Sequence, residues 1–519
     1  MSFEFKSTSF IGNSRGSETG KTFTAFSPET GEAVGPEFHS ATIVEMNRAA
    51  NLAENAFGEL SRKSGKEKAE FLRRIAEKLE EKKADIVERA SLETGLPKAR
   101  FEGETGRTCG QLRMFADLAQ EGSWVDARID TAETERAPLP KPDVRSMKRA
   151  LGPVAVFCAS NFPIAFSVAG GDTASAFAAG SPVIVNAHNA HPGTSEIAAS
   201  AISEAVNECG FPEGTFSLLF SADYEIGSAL VAHPSIKAVG FTGSRAGGRA
   251  LMDIAAKRDE PIPVYAEMSS VNPVFVLPRA AEEKADSIAE GLFSSFTLGY
   301  GQFCTKPGLA FLPGNGGYGA IVSRLNQLSR ESSGKPLLTS GIRNSFIEKI
   351  SERGAAQAAA KGYAVESVVF ETSVGEFRST PELHEEVFGP STLAISFGEV
   401  AELVDIAEDL EGQLTATIHG TDEDIAEAEE LIAVLEKKVG RIVFNGFPTG
   451  VEVCHSMVHG GPYPATSFSG TTSVGTRAIE RFTKLVCFQD APDSVLPDEL
   501  KDGNPLGIVR MKDGVIGRT

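Results

Sequence analysis

The 519-residue sequence has one tryptophan, eight histidines and six cysteines. The cysteines, at positions 109, 158, 209, 304, 454 and 487, are scattered, and no C-x-x-C pair occurs. A zinc ribbon or a dithiol redox motif is therefore not expected. Basic residues are few beside acidic ones, 50 Lys and Arg against 70 Asp and Glu, for a net charge of −20. That balance argues against nucleic acid or an anionic membrane as a partner. The start, MSFEFKSTSFIGNSRG, lacks a basic region followed by an apolar core, so no signal peptide is expected. A cytoplasmic setting with free thiols follows as the expectation. One uncharged stretch, ALGPVAVFCASNFPIAFSVAGG at 150–171, is long enough to span a bilayer. Pro153, Asn161 and Pro163 interrupt it, and a strand, a turn and a buried helix account for it without a membrane. There is no internal repeat and no low-complexity segment.

What is present is a 41% hydrophobic chain with 52 glycines, enough for a large core and for two to four domains. Residues 42–96 carry Leu72, Ile75, Leu79, Ile86 and Ala90 at helical spacing, with Lys and Glu between them on a solvated face. Residues 128–148, polar and proline-rich, read as a linker or protruding arm. From 153 the texture alternates. PVAVFCAS, SPVIVNAH, FSLLF, KAVGFTGS and PVYAEM read as strands, with VAGGDTASAFAAG and TSEIAASAISEAVNEC as helices between. Such alternation predicts an α/β fold with a parallel sheet covered by helices and a ligand at the carboxyl ends of its strands. A second α/β region follows from about residue 270, and turn signals gather after 485.

Several motifs invite a chemical reading. GQFCTKPG at 301–308 sets Cys304 on a tight loop, where a thiol is either a buried hydrophobe or a nucleophile. GFTGSRAGGR at 240–249 places a glycine-rich turn at a helix start, although Arg249 and Ala250 replace the Lys and Ser/Thr of a P-loop. YAEMSSVNP sets Glu267 among apolar and small residues, where a carboxylate must be satisfied or employed. EEVFGP offers Glu386 before an aromatic turn. GNSRG at 12–16 matches a nucleophile elbow but has no buried strand before it. His188 with His191, and Cys454 with His455 and His459, lack the further ligands of a metal site and read as ordinary polar packing, so no metal is expected.

Taken in order, NFP, FTGS, the lone Glu267, GQFC and EEVFGP resemble the aldehyde dehydrogenase superfamily over nearly the whole chain. The stretches AEMSSVNPVFV, ASNFPIAFSVAGGDTASA, FNGFPTGVEVCHSMVHGGPYPAT and TTSVGTRAIERF are similar to one branch, the α-ketoglutaric semialdehyde dehydrogenases, a branch that itself resembles an NADP-dependent fatty aldehyde dehydrogenase of luminous bacteria.

The resemblance implies a Rossmann-type cofactor-binding domain (1–127 and 149–270), an α/β catalytic domain (271–484) and oligomerisation segments (128–148 and 485–519) in a homodimer or homotetramer. It implies Cys304 as nucleophile, Asn161 with the Cys304 N–H as oxyanion donors, and Glu267 as the base that activates water. It sets Asn186, Thr242, Gly243, Ser244, Gly248, Glu386 and Phe388 beside NAD or NADP. It lines the substrate tunnel with Phe162, Phe166, Phe447, Thr449 and Val451. Arg113 is the expected anchor for a substrate carboxylate, if 2,5-dioxopentanoate is oxidised to 2-oxoglutarate.

Departures from the family pattern are Ser160 in place of a tryptophan, Gly170 in place of a lysine, and Asn186 in place of a lysine at the second strand's end. Lys237 and Arg245 remain as cations that could reach a 2′-phosphate, while Asp223 and Glu225 oppose one. A longer aliphatic aldehyde, an acyl transfer to coenzyme A and a catalytically silent scaffold stand as alternatives. Glu267 counts against the second, and the intact Cys304, Asn161 and Glu267 set counts against the third.

Overall fold

The computed structural model describes residues 3–18, 20–357 and 361–518. Three sheets organise them. The first has seven strands in the order Val264–Glu267, Ala238–Thr242, Val154–Phe157, Val183–Asn186, Phe216–Leu219, Phe10–Ile11 and Ser14–Arg15. The first five are mutually parallel, and the GNSRG segment is only the antiparallel hairpin at the far edge. These strands are short, continuous apolar runs because both faces are covered. Ala155 and Ile184 pack with the helices Ile43–Leu60 and Glu225–Ala232, whereas Val154 and Val156 pack with Gly65–Glu81, Lys98–Glu121 and Pro192–Glu208. The chain runs outward from Val154–Phe157 in one direction, then returns to its other side with Ala238–Thr242. That reversal opens a crevice at the carboxyl ends of the strands, where such sheets bind ligands.

The second sheet is wholly parallel, in the order Val368–Ser373, Ser391–Phe397, Leu309–Pro313, Val274–Val276, Gln413–His419 and Val439–Phe444. Phe275 and Phe311 face one core, and Val274, Val276, Ala310 and Leu312 the other. The third sheet joins Thr483–Gln489, Val144–Ala150, Arg128–Asp130, Arg510–Lys512 and Val515–Gly517. The polar stretch 128–148 thus contains two strands, because its alternating buried positions, such as Arg145 and Met147, face residues from the C-terminal segment.

In the uncharged stretch 150–171 the strand forms as expected, but the helix begins only at Gly171. Residues 158–170 between them are irregular and hold Asn161 at the mouth of the crevice. No helix among the described residues is long and apolar enough to cross a membrane.

Cys304 lies between the helix Pro278–Thr297 and the strand Leu309–Pro313. The chain reaches it through Gly299, Tyr300 and Gly301, all with positive φ. Gly301 packs backbone to backbone on Gly389: the Gly389 N–H donates to the Gly301 carbonyl at 3.1 Å, and a Cβ on Gly301 would stand 2.2 Å from the Gly389 carbonyl carbon. Only glycine permits that approach at φ 73°. Gly301→Ala should lower unfolding free energy by about 1–3 kcal/mol through strain alone and displace the Cys304 loop. Denaturant unfolding together with the alkylation rate of Cys304 checks this; unchanged values in both would refute the clasp.

Candidate active site

Three side chains from distant parts of the chain meet at Cys304. Its Sγ lies 3.4 Å from His459 Nε2, and that nitrogen lies 2.8 Å from Glu267 Oε1. Glu267 is the last residue of the strand Val264–Glu267, and its Oε2 accepts from Ser473 Oγ at 2.9 Å. His459 is buried in an irregular segment, its backbone N–H held by Thr472 Oγ1 at 2.8 Å. Of the Cys454, His455 and His459 group read as ordinary packing, His459 is the one that touches both Cys304 and Glu267. Its imidazole spans the thiol and the carboxylate through one nitrogen, so a proton there is shared between them.

The loop carrying the thiol is fixed from below. Asn272 Nδ2 donates to the Cys304 carbonyl at 2.8 Å and to the Lys306 carbonyl at 3.0 Å, while its Oδ1 accepts from Ser270 Oγ and Thr415 Oγ1. Asn161 Nδ2 donates to the Gln302 carbonyl at 2.8 Å, which keeps the carboxamide beside the thiol, and both residues line one cleft. Neither Asn272 nor Gln302 was singled out from sequence; SVNP and GQFC offered no pattern that separates a clamp from a turn.

Electrostatics divide the roles. Burial, followed by the carboxylates of Glu267 and Glu386, pushes the Cys304 thiol well above the usual cysteine range. Burial also works to raise Glu267, but the charge and hydrogen bond of His459, with hydrogen bonds from Cys304 and Ser473, outweigh it and hold Glu267 below the usual carboxylate value. At rest the site therefore holds a neutral thiol beside an ionised carboxylate. Glu386, pushed up to about 7 mainly by burial, bonds Ser269 and the Ser270 backbone, and Lys306, lowered to about 8 by burial, opposes that rise.

A cleft of about 390 Å³ opens beside the thiol, lined by Ser160, His188, Thr242, Gly243, Ser244, Glu386 and Phe388 among others. It lies at the carboxyl ends of the strands flanking the topological reversal, and Ser244 caps the helix Arg245–Ala256 there. Asn186 ends its strand with a buried Oδ1 that has no hydrogen-bond partner among the described residues. A cleft of this size beside a helix N-terminus fits part of a dinucleotide, and Asn186 stands outside its lining.

Gly248 sits elsewhere: a Cβ there would meet Met268 Sδ at 2.6 Å, so it lets the helix approach the strand end instead of lining the cleft. Neither cation proposed for a 2′-phosphate is free. Lys237 precedes its strand, at the edge away from the cleft, and pairs with Glu260 at 2.7 Å; Arg245 pairs with Glu411 at 2.9 Å. Asp223 and Glu225 face Lys21.

On the other side, Phe162 packs edge-on against Phe166 and Phe303, with centroids 5.3 and 5.0 Å apart. Thr449 bonds Ser295 Oγ at 2.7 Å and the Thr305 carbonyl at 3.3 Å, next to the nucleophile, and the Val451 carbonyl faces Arg107. Two expectations do not hold. Phe447 packs on His419 and over Gly291, within the second sheet's core. Arg113 is spent on Glu80, in a two-pronged pair with both contacts at 2.7 Å. Six residues along the helix Lys98–Glu121 is more than one and a half turns, and Arg113 faces Glu80 while Arg107, unmarked in the sequence reading, borders the cavity next to Phe162.

Residues 15–486 match the Aldehyde dehydrogenase family. The chain belongs to that family. An alpha-ketoglutaric semialdehyde dehydrogenase 2 of Azospirillum brasilense is 47% identical over 95% of this chain and 96% of the relative, and an alpha-ketoglutaric semialdehyde dehydrogenase of Acinetobacter baylyi is 44% identical over 98% of each. Among solved structures, the Thermus 1-pyrroline-5-carboxylate dehydrogenase with bound NAD is 20% identical, with a TM-score of 0.79 over 93% of this chain and 92% of that one. The Bacillus cereus aldehyde dehydrogenase in its NAD+ complex is 21% identical, with a TM-score of 0.79 over 93% and 96%. These two share the fold. Family membership assigns the reaction as oxidation of an aldehyde to a carboxylic acid with NAD or NADP as acceptor.

Two outcomes follow. Because the Glu267 charge raises the Cys304 thiol, Glu267→Gln should move the pH midpoint of Cys304 alkylation downward; a midpoint that stays or rises would contradict the electrostatic reading. Asn186→Lys should shift the NADP/NAD ratio of kcat/KM toward NADP by about tenfold, the value of one charge-assisted hydrogen bond. A parent that prefers NADP more than a hundredfold would mean that another cation serves the phosphate.

Proposed function

We propose that this chain oxidises a semialdehyde that carries a carboxylate, 2,5-dioxopentanoate, to 2-oxoglutarate. The observation that carries the reading is the contact of Cys304 with a histidine and an ionised glutamate in one buried site, in a chain whose near-full-length relatives bear the semialdehyde name.

The residues divide the work as follows. The Cys304 proton passes through His459 to solvent as the sulfur adds to the aldehyde carbon, which leaves Glu267 free for the later step. The new oxyanion would form beside the Asn161 amide and the Cys304 N–H, donors placed where that charge develops. The nicotinamide, when bound, accepts the hydride. The acyl group is then a thioester on Cys304, and Glu267 removes a proton from the water that attacks it; the thiolate leaves with the acid as product. Glu386 and Phe388 would hold the nicotinamide half of the cofactor, and Asn186 the adenosine half, with Thr242, Gly243 and Ser244 between.

We read residues 1–127 and 149–270 as the cofactor-binding domain and 271–484 as the catalytic domain. We assign 128–148 and 485–519 to assembly of a homodimer or homotetramer in the cytoplasm. The third sheet supports that assignment, since Leu485, Val515 and Ile516 stand exposed on it.

Steady-state rates across a panel of acidic and neutral aldehydes, with each nicotinamide cofactor, test the substrate. Cys304→Ala should lower kcat by on the order of 10⁶ while leaving the far-ultraviolet spectrum unchanged. Glu267→Gln should give a rapid burst of reduced cofactor followed by slow turnover. Activity of Cys304→Ala within tenfold of the parent would sink the covalent mechanism.

A further inference from the structure

The helix Lys98–Glu121 borders a cavity of about 520 Å³ whose wall includes Arg100, Glu104, Arg107, Phe162, Tyr300 and Phe303. Phe162 and Phe303 are the chain neighbours of Asn161 and Cys304, so the inner wall of the cavity backs onto the reacting thiol.

Two arginines reach this cavity, and one is committed. Arg100 Nη2 donates to the Asn161 carbonyl at 2.6 Å, its Nε lies 3.6 Å from Glu104 Oε2, and its guanidinium is held between the rings of Phe162 and Phe303 at 4.7 and 5.0 Å. Glu104 Oε1 is committed too, accepting from the N–H groups of Ile164 and Ala165, while its Oε2 is buried with no hydrogen bond and faces Arg100.

Arg107 is different. Among the described residues its one hydrogen bond is a long contact of 3.4 Å from Nη2 to the Val451 carbonyl, and its Nη1 is buried with no partner. The carboxylates of Glu104 and the exposed Glu452 act on it without forming an ion pair, and so does the Cys304 sulfur. Its Cζ stands 5.4 Å from the centre of the Phe166 ring, which lies 6.1 Å from the ring of His459, the residue touching Cys304.

A half-buried guanidinium whose buried Nη1 makes no hydrogen bond is costly unless something completes it. Its planar fork matches a carboxylate better than any neutral group. An aliphatic tail in the same place would leave the charge unpaired among aromatic rings.

We propose that Arg107 binds the remote carboxylate of the substrate, and that it makes this site select ω-oxo carboxylates over neutral aldehydes of the same length. The proposal rests on the semialdehyde reading above and assigns its specificity to one side chain.

The test compares kcat/KM for 5-oxopentanoate and for pentanal in the parent, Arg107→Gln and Arg107→Lys. The parent should favour the acid. Arg107→Gln should reduce the acid-to-neutral ratio by about thirtyfold, chiefly through KM, and Arg107→Lys should retain part of the preference. Glutarate, which carries no aldehyde, should slow alkylation of Cys304 by iodoacetamide in the parent and not in Arg107→Gln. If the parent favours the acid and Arg107→Gln keeps the full ratio, Arg107 is not the anchor and the semialdehyde reading stands. If the parent shows no preference, the semialdehyde reading falls and the anchor falls with it. Should Arg107→Gln fail to fold, Arg107→Lys decides: a ratio reduced at least about threefold supports the anchor, and an unchanged ratio overturns it.

Discussion

The carboxamide of Asn272 is the constraint on which the reacting geometry depends. It is fully buried at a φ of 47°, a conformation that asparagine tolerates better than most residues. From there it bonds the carbonyls of Cys304 and Lys306, and it receives the hydroxyls of Ser270 and Thr415. One side chain thus fixes the nucleophile's loop to the segment between Glu267 and the second sheet. Glu267 ends a strand of the first sheet and Cys304 lies on the loop before a strand of the second, and Asn272, between the two sheets, ties that loop down. Gln302 extends the brace, its Oε1 accepting the N–H of Leu338 at 2.8 Å.

Much of this was legible in the sequence, for identifiable reasons. The strands of the first sheet read as apolar runs because they are covered on both faces, and their boundaries differ by one to three residues. Cys304, Glu267 and Asn161 stand out in sequence because each sits in a short motif of distinctive composition, in a distinctive order, and the fold brings all three to one place. The arm was harder. Residues 128–148 are polar and proline-rich; their two strands pair with each other, but the outer partner of each comes from residues more than 300 positions later. No local pattern carries that information.

The misreadings share a cause. His459 was set aside because its sequence neighbours make no ligand set, yet the fold brings it to Glu267 across 192 positions. Arg113 is the anchor expected from sequence, but the fold turns it to Glu80, and orientation about a helix axis is not readable from residue type alone. Gly248 looked like a phosphate cradle, but close packing on Met268 uses the same absence of a Cβ. In each case the residue type was informative and the direction of its side chain was not.

The high proton affinity of the Cys304 thiol has a consequence outside turnover. Peroxide attacks thiolates far faster than thiols. A thiol kept protonated until substrate arrives is shielded from the first rung of sulfur oxidation while the protein is at rest.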